Sequence, residues 1–532
     1  MKFRTRWLIA ASALIAAAPA HAEWWEATTD HFIVYSQTNE ADARAFAQKL
    51  DRFDGALRTA QNLPVGIDVG PANKVKVFRS GDQDDIGRLA GADGVAGFYI
   101  PRAGRPVAFV PAREAMQRGT RHFEAPDPNR LDSTRVLLHE YTHHFMLQTF
   151  PATYPGWYVE GFAELYATIS LRDDGSFHIG DPPQHRYNEL TYLNLMPMRR
   201  LLDSKHKIER GEEWIQRYSL GWLLAHYLNL NEKRAGQLST YLKAIDKGED
   251  SLAAAERVFG DLDKLDAELR RYKNGPFPGY DIKPGNYVPP KVTMRRLDPQ
   301  EERLMRSRIR LARGVGRKEA ADVLADLKAL GPWTETNAAA QLTLSEAYLG
   351  SELYAEAGAA AERVLAIDPA SVPALILKAQ ALMGSEDDAN PDKARFAQAR
   401  SQLVKARKID PTNPETLILY YQSYLRAKEP VPDQATLALE TAFANARFDS
   451  DYRIVLASQL LSEGRGNDAR TVLMPVAINA HGGDAKKSPF VKAMNTVMER
   501  LDAGDTPGAR AALDGFIAEQ KKEKDKDKKK GS

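Results

Sequence analysis

Cysteine is missing altogether from the 532 residues. No disulfide can form, so the chain must be stable through core packing alone. An acyl-anchored lipoprotein terminus is excluded too, and any metal site must draw on His, Asp and Glu. A strong charge of either sign is also missing. The 73 Lys and Arg nearly balance the 71 Asp and Glu, for a net +2, so nothing global favours nucleic acid or an anionic membrane as a partner. Beyond the N-terminus no apolar run is long enough to cross a bilayer. What remains is an ordinary globular composition, 43% apolar and 27% charged, in a chain long enough for about two to four domains.

Residues 1–22 read as a signal peptide. Lys2, Arg4 and Arg6 form a positive start, residues 7–18 are apolar except for Ser12, and Ala20-His21-Ala22 supplies a small-x-small cleavage pattern. The apolar stretch is too short for a comfortable membrane anchor. Arg4 and Arg6 are not adjacent, which speaks for a Sec-type rather than a twin-arginine signal. Cleavage is expected after Ala22, with a periplasmic or secreted product and no transmembrane segment left in it.

An α+β organisation follows. Residues 23–130 mix short β-rich runs, 31–36 (HFIVYS), 74–78 (KVKVF) and 106–110 (PVAFV), with a helix over about 41–61, and read as a small mixed α/β sheet unit. Residues 131–273 are mostly helical. A first helix runs from a cap at Asp132 or Ser133 to about 150, where Pro151 stops it. A second spans about 157–171, ended by Asp174-Gly175, and a third about 212–230. Pro and Gly punctuate 274–300 so densely that a linker without regular structure is expected.

Over 301–520 helices follow one another, and Ala366-Ile367-Asp368-Pro369 recurs as Lys408-Ile409-Asp410-Pro411 ahead of a fresh apolar helix. The first unit resembles a tetratricopeptide repeat, with Leu344, Tyr348, Tyr354, Ala357, Ala361 and Pro369 where that family packs. The next unit is longer, with an acidic insert at Glu386-Asp387-Asp388, and later units are degenerate. The resemblance implies an α-solenoid of helix pairs whose concave surface binds a protein or peptide. The Lys-rich end, 521–532, is expected to be a disordered tail.

The chemistry concentrates in His139-Glu140-Tyr141-Thr142-His143. On a helix, residues four apart share a face, so both imidazoles can ligate one metal. Glu140 beside them can accept a proton from a metal-activated water. Imidazole and carboxylate ligands suit Zn2+, whose catalytic sites keep a fourth position open. Trp157-Tyr158-Val159-Glu160-Gly161-Phe162-Ala163-Glu164 follows at a distance that suits a third ligand on a neighbouring helix.

Together these motifs resemble the HExxH…W-x-x-E-G-x-A-E signature of gluzincin metallopeptidases, of the aminopeptidase-N-like and peptidase MA-like kinds, over about residues 130–270. The resemblance implies Glu160 as third zinc ligand and Glu164 as the acid that orients a ligating histidine. Gly161 fits a close approach of the two motif-bearing helices. Tyr218-Ser219-Leu220-Gly221-Trp222-Leu223-Leu224 is similar to the family's Y-x-x-G-x-x-L segment, which implies that the Tyr218 hydroxyl stabilises an oxyanion. Gly94 to Tyr99 lacks the glutamate with which aminopeptidases bind a substrate's free amine. The remaining histidines, His31, His122, His178, His185, His206, His226 and His481, show no ligand spacing and are expected to be structural or at the surface.

An exported zinc metallopeptidase acting on a peptide or protein substrate is therefore expected, with the array binding substrate or partner. A second reading makes the chain a repeat-based envelope scaffold whose peptidase-like part is inactive.

Overall fold

A computed structural model describes residues 23–113, 132–204, 206, 211–285, 287–386, 389–477 and 489–530. The expected signal peptide, His122 and His481 lie outside them.

Among the described residues the N-terminal sheet has six strands, β1 (Trp25–Thr28), β2 (Phe32–Ser36), β3 (Val75–Arg79), β4 (Phe98–Ile100), β5 (Val107–Val110) and, from far along the chain, β9 (Thr293–Arg296). Their order is β4-β5-β3-β2-β1-β9, with β2, β3 and β5 parallel and the other pairings antiparallel. Strand alternation sorts the side chains onto two faces. Phe32, Val34, Val75, Val77, Ala108 and Val110 point into the main core, which is covered by α1 (Glu40–Ala60) through Ala47, Leu50, Phe53 and Leu57. The opposite face carries Tyr35, Phe78, Phe109 and Phe98. These rings stack across β2, β3, β5 and β4 at centroid distances of 5.3, 5.6 and 4.8 Å, each offset pair adding to the apolar burial. Ile86 of α2 (Gln83–Ala90) and Met305 close that face.

Eight described helices follow: α3 (Ser133–Thr149), α4 (Gly156–Tyr166), α5 (Gln184–Tyr192), α6 (Met198–Leu202), α7 (Glu212–Leu230), α8 (Gln237–Asp246), α9 (Ser251–Phe259) and α10 (Leu262–Tyr272). Helix α4 ends at Tyr166, not near residue 171. The chain passes through Thr168 and Ile169, β-branched residues that resist the helix, into β6 (Ser170–Leu171) and β7 (Phe177–Ile179). Asp174-Gly175 is the turn of that hairpin, with Gly175 at φ +81° and Asp174 accepting from the Ser176 N–H.

The expected linker over 274–300 is corrected more deeply. It supplies β8 (Tyr280–Ile282), which pairs with β7, and β9, which pairs with β1. Trp24 and Leu297 then join by a backbone hydrogen bond of 3.0 Å. Prolines on either side leave each three- or four-residue strand free to pair, since an edge strand tolerates Pro at its ends.

Twelve further described helices, α11 (Pro299–Arg313) through α12 (Arg317–Lys328), α13 (Ala338–Gly350), α14 (Tyr354–Ile367), α15 (Val372–Gly384), α16 (Lys393–Ile409), α17 (Pro414–Arg426), α18 (Asp433–Asn445), α19 (Ser450–Ser462), α20 (Gly466–Ala477), α21 (Pro489–Asp502) and α22 (Thr506–Lys530), run as successive pairs. This run is compatible with a tetratricopeptide-like solenoid. In four of the pairs the turn between the two helices is the same. Glu352, Lys428, Gly464 and Gly504 all have positive φ, and the next N–H bonds back to Tyr348, Tyr424, Leu460 and Arg500 respectively, the Schellman closure of a helix end. The backbone of α22 is helical to Lys530, where a disordered tail from 521 was expected; its Lys and Glu are good helix formers. Among the described residues no helix is long and apolar enough to cross a membrane.

Candidate metal centre

Three helices build the centre. Asp132 caps α3 by accepting from the Thr134 N–H, and the helix carries His139 and His143 one turn apart on one face. Pro155 starts α4, whose Glu160 side chain is fully buried against them. Helix α7 brings Tyr218, its ring centroid 6.5 Å from that of His139.

Glycine sets how closely these helices meet, though not where the motif suggested. Gly161 opens toward α7, not α3. A Cβ on Gly161 would lie 2.3 Å from the Gly221 carbonyl oxygen, and one on Gly221 would lie 2.6 Å from the Trp157 carbonyl oxygen. The backbones of α4 and α7 are therefore in contact, which brings Tyr218 to the level of Glu160.

His139 Nε2 and His143 Nε2 lie 3.0 Å apart, and Glu160 Oε2 lies 3.5 Å from the first and 3.4 Å from the second. Among the described residues this is the one cluster of His and acidic side chains able to hold a metal. For metal–ligand bonds of about 2.0–2.1 Å, a tetrahedron has edges of roughly 3.3 Å, and the observed triangle is close to one face of it.

Glu164 stands one turn behind, Oε1 3.7 Å from His139 Nδ1. The Arg186 Nε–H donates to the same oxygen at 2.7 Å, and His185 Nε2 is 3.8 Å from the other. Burial pushes the Glu164 carboxyl upward, but Arg186, His139 and His185 together hold it below the ordinary range, so it stays charged. Burial likewise pulls His139 down, yet Glu164, Glu160 and Glu140 overcome this and raise it to about 9. The field at the His139 imidazole therefore favours a positive charge. Burial, then Glu160, raises the Tyr218 phenol well above its usual value, keeping it a hydroxyl donor at neutral pH. The Arg186 guanidinium sits 4.6 Å from the centre of the Tyr218 ring. Glu140 is half-buried beside the triangle, and its charge reaches His139, Tyr218 and Tyr99.

All six residues singled out in the sequence thus gather in one place. Arg186, Arg217 and Tyr99 do not stand out in the sequence and also belong to it. Arg217 feels the charge of Glu160 and neighbours Tyr218 on α7. Tyr99 on β4 bonds through its hydroxyl to His144 Nδ1 at 2.7 Å. No spacing signals them, because each comes from an element outside the motifs or from a position the motifs leave open. Of the other histidines, His185 joins the site through Glu164. His226 is structural, its Nδ1 2.8 Å from the Tyr272 hydroxyl and its Nε2 2.9 Å from the Gly180 carbonyl. His31 lies buried between Asp51 and Asp54, while His178 and His206 pair with Asp281 and Glu213.

No protein-family model matches the chain, and no curated protein matches it. Among solved structures, a thermophilic TPR protein of Thermus thermophilus aligns with 38% of this chain and 93% of its own, at 18% identity and a TM-score of 0.25. At that score the likeness carries no argument, and the helix pairs are identified by their own turns.

Proposed function

We propose that the chain is a zinc-dependent metallopeptidase acting outside the cytoplasm, with a tetratricopeptide-like array as a protein-interaction module. The observation that carries the reading is the convergence of His139 Nε2, His143 Nε2 and Glu160 Oε2 on edges of 3.0–3.5 Å. Two imidazoles and a carboxylate are a donor set that suits Zn2+ and leaves a fourth position free. A zinc ion held there would act as a Lewis acid on a peptide carbonyl and bring a water's pKa to about 7.

The chain's own residues supply the rest. Glu164, its Oε1 3.7 Å from His139 Nδ1, places a negative charge behind the ring that favours a proton on Nδ1 and so leaves Nε2 free for the metal. Glu140 takes the proton of the attacking water and passes it to the leaving amine. The Tyr218 hydroxyl donates to the oxygen that gains charge as the carbonyl carbon becomes tetrahedral. Strand β4 borders α3 and pairs on one side only among the described residues, so an extended peptide can add to its open edge as a further strand.

Metal analysis by mass spectrometry on residues 23–532 tests this. About one zinc per chain is expected in the wild type, lost in both His143→Ala and Glu160→Ala. A folded wild type that takes up no zinc on reconstitution would overturn the reading.

A further inference from the structure

The turn between β4 and β5, residues 101–106, does not project into solvent. It is seated against the helix pairs. Ala103 is 4% exposed, packed in one cluster with Leu417, Tyr421 and Tyr452, and its N–H donates to Asp449 Oδ2 at 2.7 Å. Arg105 Nη2–H donates to Glu415 Oε1 at 2.8 Å, and Arg105 Nη1 lies 3.9 Å from Glu346. Gln380 donates to the same Glu415 oxygen at 3.0 Å. Arg102 donates to the Ala312 carbonyl at 3.1 Å, near the end of α11. Gly104, at φ +73°, lets the turn close onto Glu415, where a Cβ would stand 3.0 Å from that of the glutamate. Glu346, Gln380, Glu415 and Tyr452 belong to α13, α15, α17 and α19, the first helices of four successive pairs.

The array also grips α3. The Phe448 ring lies 4.4 Å from that of His144. Gln148 exchanges hydrogen bonds with the Ala444 carbonyl and the Arg447 N–H, at 3.2 and 3.0 Å. Consecutive residues of one segment, Arg447, Phe448 and Asp449, therefore touch both the metal-site helix and the β4–β5 turn. Between them the circuit is closed by Tyr99 of β4 on His144 of α3.

We propose that the face formed by the first helices of the pairs is a docking surface for this chain's own β4–β5 turn, and that the array positions edge strand β4 against α3. The inference rests on the reading of β4 as the strand that takes the substrate. A three-residue strand with one neighbour is weakly held by its own ladder. Beyond that ladder and the Phe98–Phe109 stack, the seated turn and the Tyr99–His144 contact hold it, and both are backed by the array. Arg105 and Phe448 are thus positioning residues, acting on substrate through β4.

Hydrogen exchange followed by mass spectrometry on residues 23–532 tests this with Arg105→Glu, which sets a third negative charge beside Glu415 and Glu346. Exchange at 98–100 and 107–110 should rise tenfold or more, while 32–36 and α13 to α20 keep their protection and zinc content is unchanged. With an extended peptide substrate, KM should rise more than kcat falls. Phe448→Ala breaks the other grip and gives an independent reading should Arg105→Glu fail to fold. Faster exchange of the turn with β4 as protected as in the wild type would overturn the proposal. The exchange arm needs no turnover, so an inactive, zinc-free wild type would end the peptidase reading while leaving this one to be decided by β4.

Discussion

Gly161 and Gly221 face each other so closely that no methyl group fits between their helices. A Cβ on Gly161 meets a backbone carbonyl, which cannot swing aside as a side-chain end could. Gly161→Ala should therefore cost about 1–3 kcal/mol of stability through overpacking, read by urea unfolding. It should also weaken zinc retention, because Glu160 is the adjacent residue. Unchanged stability would show that α4 and α7 can part without cost.

Glu140→Gln keeps the size of the side chain and removes the base. Turnover of a peptide substrate should fall roughly 10²–10⁴-fold, with zinc content as in the wild type. If metal is lost as well, Glu140 helps to hold the site and is not only a proton carrier.

Tyr218→Phe removes one hydroxyl and leaves the ring against His139 and Arg186. A loss in kcat of roughly 10²–10³-fold is expected, with zinc content and KM little changed. Since burial holds the phenol well above its usual range, activity should show no alkaline limb from Tyr218 below about pH 9. A wild-type kcat in this variant would return Tyr218 to simple packing.

Away from the metal, His226 gives the fold an acid limit. Burial lowers it from 6.5 to about 4, although its bond to the Gly180 carbonyl acts the other way. The neutral ring is what fits, donating from Nε2 to that carbonyl and accepting at Nδ1 from Tyr272. A pKa lower in the folded than in the unfolded chain means that the unfolded chain takes up the proton first. Stability from this group is complete above pH 6.5 and declines as pH falls toward 4, by up to about 3 kcal/mol. Urea unfolding from about pH 7 to 4 should show that decline in the wild type and a shallower one in His226→Gln. Equal slopes would remove His226 as the cause.

Local signals were legible wherever a single element decides them. Asp132 and Pro151 bracket α3 within a residue, and α7 runs over 212–230 as its pattern suggests. His139, Glu140 and His143 could be read together from their spacing on one helix, whereas Glu160, Glu164 and Tyr218 were placed beside them by the resemblance to the gluzincin signature alone. Pairings between distant segments were not legible. Nothing in Thr293–Arg296 announces a strand until Trp25–Thr28 stands beside it, and Arg186 reaches Glu164 from a helix that carries no motif. Gly161 marked a close contact but not its partner, because a missing side chain says that something is near and not what.

The pairing of β1 with β9 also sets a timetable. Trp25 meets Arg296 across that ladder, so a strand near the start of the chain waits for one made roughly 270 residues later. At about 5–20 residues per second of synthesis, that wait is on the order of tens of seconds. Throughout it, Met305 is not yet present to cover the stacked Tyr35, Phe78 and Phe109, and a sticky aromatic face stays open with an unpaired strand edge beside it. Until those residues have emerged the chain carries an aggregation hazard, and a chaperone that shields aromatic surface would act in that interval.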